Sequence, residues 1–219
     1  MPTQTKENYL KAIYYLQQRN KTATISELAE EMQVNKSTVT EMIKKLADRG
    51  WVDYQKYKPI RLSELGQVEA AQIIRKHRLT EMFLVDIMGF GWEEVHEIAE
   101  EVEHLKSESL FDRMDRLLGF PDADPHGSPI PAKNGELYRR PYKALSNYRV
   151  GDTLRLKAVI DNTDSLLAML TDKQIGLGTE FNIKKVEPFD KSMVVDYRNC
   201  EGITLTHEVC RRLMVEQIN

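Results

Sequence analysis

Two cysteines, Cys200 and Cys210, are all that the 219 residues contain. One bridge is the most they allow, and in a reducing compartment both are expected as buried thiols. No apolar run approaches the roughly 18 residues that a membrane span needs. The first residues, Met1-Pro-Thr-Gln-Thr-Lys, lack the basic-then-apolar pattern of a secretory leader. A cytoplasmic protein without membrane contact is the expectation. A glycine-rich loop able to cradle phosphates is also missing, as is a nucleophile motif, which counts against an enzyme.

What is present is the composition of a folded protein, 41% hydrophobic and 30% charged. The length suits two or three domains. A net charge of −3 conceals an uneven distribution. Residues 1–76 hold 13 Lys and Arg against 9 Asp and Glu; residues 77–140 hold 7 against 14. The remainder is balanced. A basic first third suits a polyanion and an acidic middle suits a cation, although charge runs are commonly solvated faces.

Tyr9, Leu10, Ile13 and Leu16 give a helical stripe over about 6–18. A short helix follows with Ser26 as its expected cap, through Leu28, Ala29 and Met32. A third helix, about 36–49, buries Val39, Met42, Ile43 and Leu46 and stops at Gly50. Trp51, Val52 and Tyr54, a polar tip and Ile60-Arg61-Leu62 then predict a short hairpin. Helices are expected over about 64–88, 93–107 and 110–118. Five prolines between 121 and 149 predict a connector without regular structure. Beyond it, strands over 154–160, 180–187 and 192–197 and a helix over 164–170 suggest a small β-barrel. The fold class is thus mainly α with small β parts, with domains expected at 1–73, 74–140 and 141–219.

Helix, tight turn, helix and hairpin in residues 26–62 is the order of a winged helix-turn-helix. The third helix presents Lys36, Ser37, Thr38, Thr40, Lys44 and Lys45, short polar groups suited to base edges and lysines suited to phosphates. Lys56, Lys58 and Arg61 in the hairpin would add phosphate contacts from a wing. The bland alternative is a three-helix packing unit with a solvated face.

On the predicted helix over 93–107, His96, Glu100, Glu103 and His104 fall within an arc of roughly 100°. They flank an apolar stripe of Val95, Ile98, Ala99, Val102 and Leu105. His77 and Glu81 stand one turn apart on the preceding helix. Imidazole plus carboxylate, without thiolate, argues against a closed structural zinc site and suits Mn²⁺ or Fe²⁺; Zn²⁺ and Co²⁺ are compatible in vitro. Glu97, Glu101 and Glu108 read as outer-face charges.

These runs carry a resemblance. Val39-Thr-Glu-Met42, Arg75-Lys-His-Arg-Leu-Thr-Glu81, Glu94-Val-His-Glu-Ile-Ala-Glu-Glu-Val-Glu-His104 and Pro125-His-Gly-Ser-Pro-Ile-Pro131 together resemble the diphtheria-toxin-repressor family. The likeness is greatest to its three-domain manganese-responsive members. It implies a winged-helix domain, a helical dimerisation and metal domain, and a C-terminal SH3-like (FeoA-like) barrel. It further implies homodimers that bind palindromic operators in double-stranded DNA when metal is loaded, repressing metal uptake, with no small-molecule substrate.

The resemblance implies one metal site from His77, Glu81 and His96, with a barrel carboxylate at Asp161 (Asp164 or Asn162 as alternatives). It implies a second, regulatory site from Glu100, Glu103, His104 and Asn8. Position 100 is Glu where iron-responsive members tend to carry Cys, and the harder oxygen favours manganese. Asn8 stands where Asp or Met is usual; it brings no charge, so Glu7 or water is a candidate helper. Asp124 occupies a place where some relatives supply a Cys ligand and would complete this second site; the alternative is a turn residue between prolines. Two other functions compete on the residues alone: a winged-helix regulator of an organic ligand, and a metal-dependent hydrolase or oxidase.

Overall fold

The computed structural model describes residues 3–136, 141–160 and 163–218. The chain forms two compact units. One comprises Met1–Thr80, Ile98–Phe120 and Ile130–Tyr138; the other comprises Glu81–Glu97, Pro121–Pro129 and Arg139–Asn219.

In the first unit, α1 (Thr3–Asn20), α2 (Ile25–Glu31) and α3 (Lys36–Ala47) precede a hairpin of β1 (Val52–Asp53) and β2 (Arg61–Leu62). The hairpin is antiparallel, with Val52 opposite Leu62 and Asp53 opposite Arg61. Leu10 and Ile13 of α1, Leu28 of α2, and Val39, Met42, Ile43 and Leu46 of α3 close one core with Val52, Ile60 and Leu62. The α2 start differs from expectation. Thr24, not Ser26, is the cap: its hydroxyl accepts the Glu27 amide, and the Glu27 carboxylate accepts the Thr24 amide at 2.8 Å. That reciprocal pairing satisfies two otherwise orphaned donors, which a cap at Ser26 would leave exposed. Ala23 and Ile60 exchange backbone hydrogen bonds, tying the hairpin to the helix pair.

α4 runs unbroken from Glu64 to Asp86. Its core stripe of Ala70, Ile73 and Ile74 continues one turn at a time through His77, Glu81 and Leu84, all buried. Candidate ligands therefore share the core-facing side of α4, which explains their low exposure.

α5 is much shorter than the periodicity suggests, covering only His96–Val102. Glu103 and His104 follow in a turn, where the Leu105 amide reaches the Val102 carbonyl. The lost helical turn is exchanged for tertiary bonds: Glu103 to Lys11 and His77, His104 to Glu7, and the Leu105 carbonyl to Lys76. Leu105 thus leaves the expected apolar stripe and is exposed. α6 spans Glu108–Leu117.

The second unit is built on an antiparallel sheet. Its strands are β3 (Lys143–Ala144), β4 (Thr153–Val159), β5 (Glu180–Val186), β6 (Met193–Tyr197), β7 (Cys200–Leu205) and β8 (Leu213–Gln217), in spatial order β3-β8-β4-β5-β6-β7. Two helices, α7 (Asp164–Asp172) and α8 (His207–Arg212), accompany it. Leu154 and Leu156 of β4, Phe181 and Ile183 of β5, Val195 of β6 and Val215 of β8 alternate inward in the manner of half-buried strands. This is the small SH3-like, FeoA-like barrel of the sequence reading. β3, β7, α8 and β8 lie where no element was expected; all are short, and β8 pairs with β3 and β4, far away in the chain. The supposed connector therefore contains strand β3 and, behind it, the fully buried Leu145. Both cysteines are free, but only Cys210 is buried; Cys200 is half-buried on β7. Burial pushes the Cys210 thiol up to about 12.

Candidate metal centre

In the first unit α1 supplies Glu7, Asn8 and Lys11, α4 supplies His77, and α5 with its following turn supplies Glu100, Glu103 and His104. His77 Nδ1 donates to Glu103 Oε2 at 2.7 Å. His104 Nδ1 donates to Glu7 Oε2 at 2.6 Å. In the neutral ring this leaves His104 Nε2 as a lone-pair donor, oriented by a carboxylate on the opposite nitrogen as metal-binding histidines commonly are. That Nε2 is buried, lacks a hydrogen-bond partner and lies 3.6 Å from Glu103 Oε1. Asn8 Oδ1 is likewise buried and unpartnered. Such groups are costly in a protein interior unless something completes them. A divalent cation fits His104 Nε2 and Glu103, accepting electron pairs from both. His77, Glu100 and Glu103 also bring ligand atoms within 4.8 Å of one another.

One charge opposes this picture. Lys11, 8% exposed, extends its ammonium into the carboxylates, donating to Glu100 and to Glu103 Oε1 and Oε2 at 2.8 and 2.9 Å. Burial lowers the Lys11 pKa, but the neighbouring Glu103 and Glu100 charges outweigh that, so the net shift is upward. No motif in the sequence marks Lys11. Its position four residues after Glu7 and three after Asn8, on the same face of α1, was the available signal.

The second unit assembles Glu81, Asp124 and His126, all buried, with ligand atoms within 4.8 Å of one another. His126 is 1% exposed. Its Nε2 donates to the Trp92 carbonyl at 2.9 Å and its ring stacks on Trp92. Nδ1 is thereby left as the lone-pair nitrogen, buried without a hydrogen-bond partner, 3.8 Å from Glu81 Oε2. Asp124 Oδ1 accepts the amides of His126 and Ser128, both at 2.9 Å, which shapes the turn around the imidazole. His96, largely exposed, approaches Glu81 Oε1 at 3.4 Å. This donor set also fits a divalent cation. His126 too was unassigned as a ligand, although the Pro125-His-Gly run beside Asp124 contained it.

Gly127 secures that turn. Its φ is +84°, and an added Cβ would lie 2.1 Å from the Lys157 carbonyl on β4. The Val159 amide bonds the His126 carbonyl at 2.8 Å, so the segment is stitched to the strand. Asp161 and Asn162 lie outside the described residues; Asp164 opens α7 and is exposed.

The candidates for DNA contact are mostly exposed. Lys36, Ser37, Thr38, Lys44 and Lys45 on α3 are exposed, as are Lys56, Lys58 and Arg61 in the hairpin. Thr40 is half-buried, and its hydroxyl donates back to the Lys36 carbonyl at 2.8 Å.

Three family models match in succession: the iron-dependent repressor N-terminal DNA-binding domain over residues 1–60, its metal-binding and dimerisation domain over 63–132, and a FeoA domain over 143–217. The HTH-type transcriptional regulator MntR of Oceanobacillus iheyensis is 33% identical over 120 residues, covering 55% of this chain and 81% of that protein. The chain belongs to the iron-dependent (diphtheria toxin) repressor family. Over its whole length this repressor-family chain is 26% identical to the iron-dependent repressor IdeR of Mycobacterium leprae, covering 98% of this chain and 97% of IdeR. Among solved structures it is similar to a manganese-dependent transcriptional repressor in complex with manganese (TM-score 0.87, 33% identity, 97% and 100% coverage). It is also similar to ScaR with bound Cd²⁺ (TM-score 0.81, 36% identity, 97% and 99% coverage). Both groups of ligand candidates within this family member, apart from those on α1, fall inside the stretch matched by the metal-binding and dimerisation model. Among the described residues no helix is long and apolar enough to cross a membrane.

Proposed function

We propose that this chain is a cytoplasmic, metal-activated transcriptional repressor that binds a palindromic operator as a homodimer, with Mn²⁺ as its ion and Fe²⁺ as the alternative. The observation that carries the reading is the buried, unpartnered His104 Nε2, 3.6 Å from Glu103 Oε1 in the cluster with His77 and Glu100, together with the unpartnered Asn8 Oδ1 on α1. Asn8 belongs to α1, whose Leu10 and Ile13 share a core with Val39 and Ile43 of the recognition helix α3. Holding Asn8 to the turn after α5 therefore constrains the element on which α3 rests.

Asn8, Glu100, Glu103 and His104 would hold one ion. Glu81, Asp124 and His126, with His96 beside Glu81, would hold the other. The ion supplies positive charge and an acceptor for lone pairs, and the oxygen-rich donor sets suit Mn²⁺. Lys36, Lys44, Lys45, Lys56, Lys58 and Arg61 neutralise phosphates; Ser37, Thr38 and Thr40 meet base edges. In this reading residues 1–73 bind DNA, residues 74–140 dimerise and hold metal, residues 141–219 form the barrel, and no substrate is turned over.

Ligand control requires the ion to bind the DNA-competent arrangement more tightly than the alternative. A tenfold preference corresponds to about 1.4 kcal/mol, and operator DNA then tightens metal binding equally. The test is binding to a labelled palindromic promoter fragment at fixed salt, in chelator and then with Mn²⁺, anaerobic Fe²⁺ or Zn²⁺. Tightening of tenfold or more with Mn²⁺ is expected; equal binding in all conditions on a verified operator would overturn the reading.

A further inference from the structure

We propose that Lys11 is a tethered cation that competes with a divalent ion for Glu100 and Glu103, and so determines how tightly the Asn8–Glu103–His104 site takes metal. The inference rests on the regulatory reading of that site and concerns a residue that reading leaves unused.

A buried carboxylate needs compensation, and Glu103, fully buried, receives it twice over. Lys11 bonds both its oxygens, and His77 Nδ1 bonds Oε2. The third proton of the ammonium goes to Glu100, so every donor that a lysine possesses is committed to this pair of carboxylates. Glu103 Oε1 is the oxygen that faces His104 Nε2. It is therefore the oxygen an ion shared with His104 must use, and it is the one Lys11 holds at 2.8 Å.

An ion bound there sits within a few ångströms of a unit positive charge in a site shielded from water. Repulsion at such range is several times stronger than in bulk solvent. Either Lys11 withdraws, giving up bonds to both carboxylates, or it stays and opposes the ion. Each outcome weakens metal binding relative to the same donors without the lysine. Asn8 adds no negative charge to offset this. The neutral-amide ligand and the interposed ammonium therefore act in the same direction, toward a site that fills only at high free metal.

The experiment uses the full chain and two neutral replacements. Lys11→Met removes charge and hydrogen bonds; Lys11→Gln removes the charge but keeps N–H donors for the carboxylates, which protects folding. Mn²⁺ binding is followed by calorimetry and by electron paramagnetic resonance of free Mn²⁺, with Glu103→Ala identifying which step belongs to this site. Thermal unfolding with and without Mn²⁺ provides a readout independent of DNA. The expected result is that Lys11→Gln, and Lys11→Met where it folds, bind Mn²⁺ at least tenfold more tightly at the Glu103-dependent step. Their melting temperature should also be lower without metal and rise more on Mn²⁺ addition than the unaltered chain's. A Glu103-dependent step that is unchanged or weaker in Lys11→Gln overturns the inference while leaving the regulatory reading standing. Absence of any Glu103-dependent step in all the proteins overturns both.

Discussion

His104 and His126 share one device. Each commits a ring nitrogen to a protein acceptor, Glu7 Oε2 or the Trp92 carbonyl, and leaves the other buried without a partner. The committed bond determines the tautomer and the aim of the ring, so the remaining lone pair is prepared before any ion arrives. Truncation on either side should therefore be selective. Glu103→Ala is expected to leave a folded dimer whose operator affinity no longer changes between chelator and Mn²⁺; a retained response in the same gel-shift titration would remove Glu103 from the site. His126→Gln should lower Mn²⁺ affinity of the Glu81-dependent step by 10-fold or more, read by calorimetry, with circular dichroism unchanged. Cys210 offers a separate check. With its thiol pushed up to about 12, only about one molecule in ten thousand carries the reactive thiolate at pH 8. A thiol reagent should therefore titrate Cys200 alone in the folded chain, and both cysteines after denaturation.

At the scale of elements, the helix ends and turns place the chemistry. α5 stops at Val102, and the turn that follows brings Glu103 and His104 to α1. Nothing in residues 93–107 announces that stop, because no glycine or proline intervenes; bonds to Lys11, His77, Glu7 and Lys76 outweigh the residual helical propensity. The winged-helix elements were legible from local signals, since Gly50 ends α3 and apolar spacing marks each buried face. The cap of α2 is Thr24 where Ser26 was expected, and α1, α3 and the hairpin strands differ by a few residues at their ends. Thr24→Ala should cost about 1 kcal/mol in urea unfolding, the usual loss for a hydroxyl N-cap, whereas Ser26→Ala should cost little. Gly127 is more demanding. An alanine there meets the β4 backbone and an unfavourable positive φ, so Gly127→Ala should destabilise on the order of 3 kcal/mol or more. It should also impair Mn²⁺ binding through displacement of His126.

For the whole molecule, charge distribution and linkage are the measurable properties. The basic first third carries the exposed lysines of α3 and the hairpin, so operator affinity should fall steeply with salt. Lys44→Ala or Lys58→Ala should each reduce the slope of log affinity against log salt by about 1 without altering sequence preference. Mn²⁺ at a hundredfold excess over its dissociation constant should stabilise the fold by about 2.7 kcal/mol per site, seen as a concentration-dependent melting temperature.

The sequence by itself determined the order of the three matched domains, the helix α3 with its exposed cations, and most of the candidate ligand types. Each depends on local periodicity or on residues a turn apart, as with His77 and Glu81. The tertiary structure decided what those residues do together. It set Lys11 between Glu100 and Glu103, gave His104 a carboxylate on one nitrogen, and folded a proline-rich segment so that His126 faces Glu81. These outcomes depend on contacts between segments as far apart as α1 and the turn after α5, where no periodicity along the chain records which side chains meet.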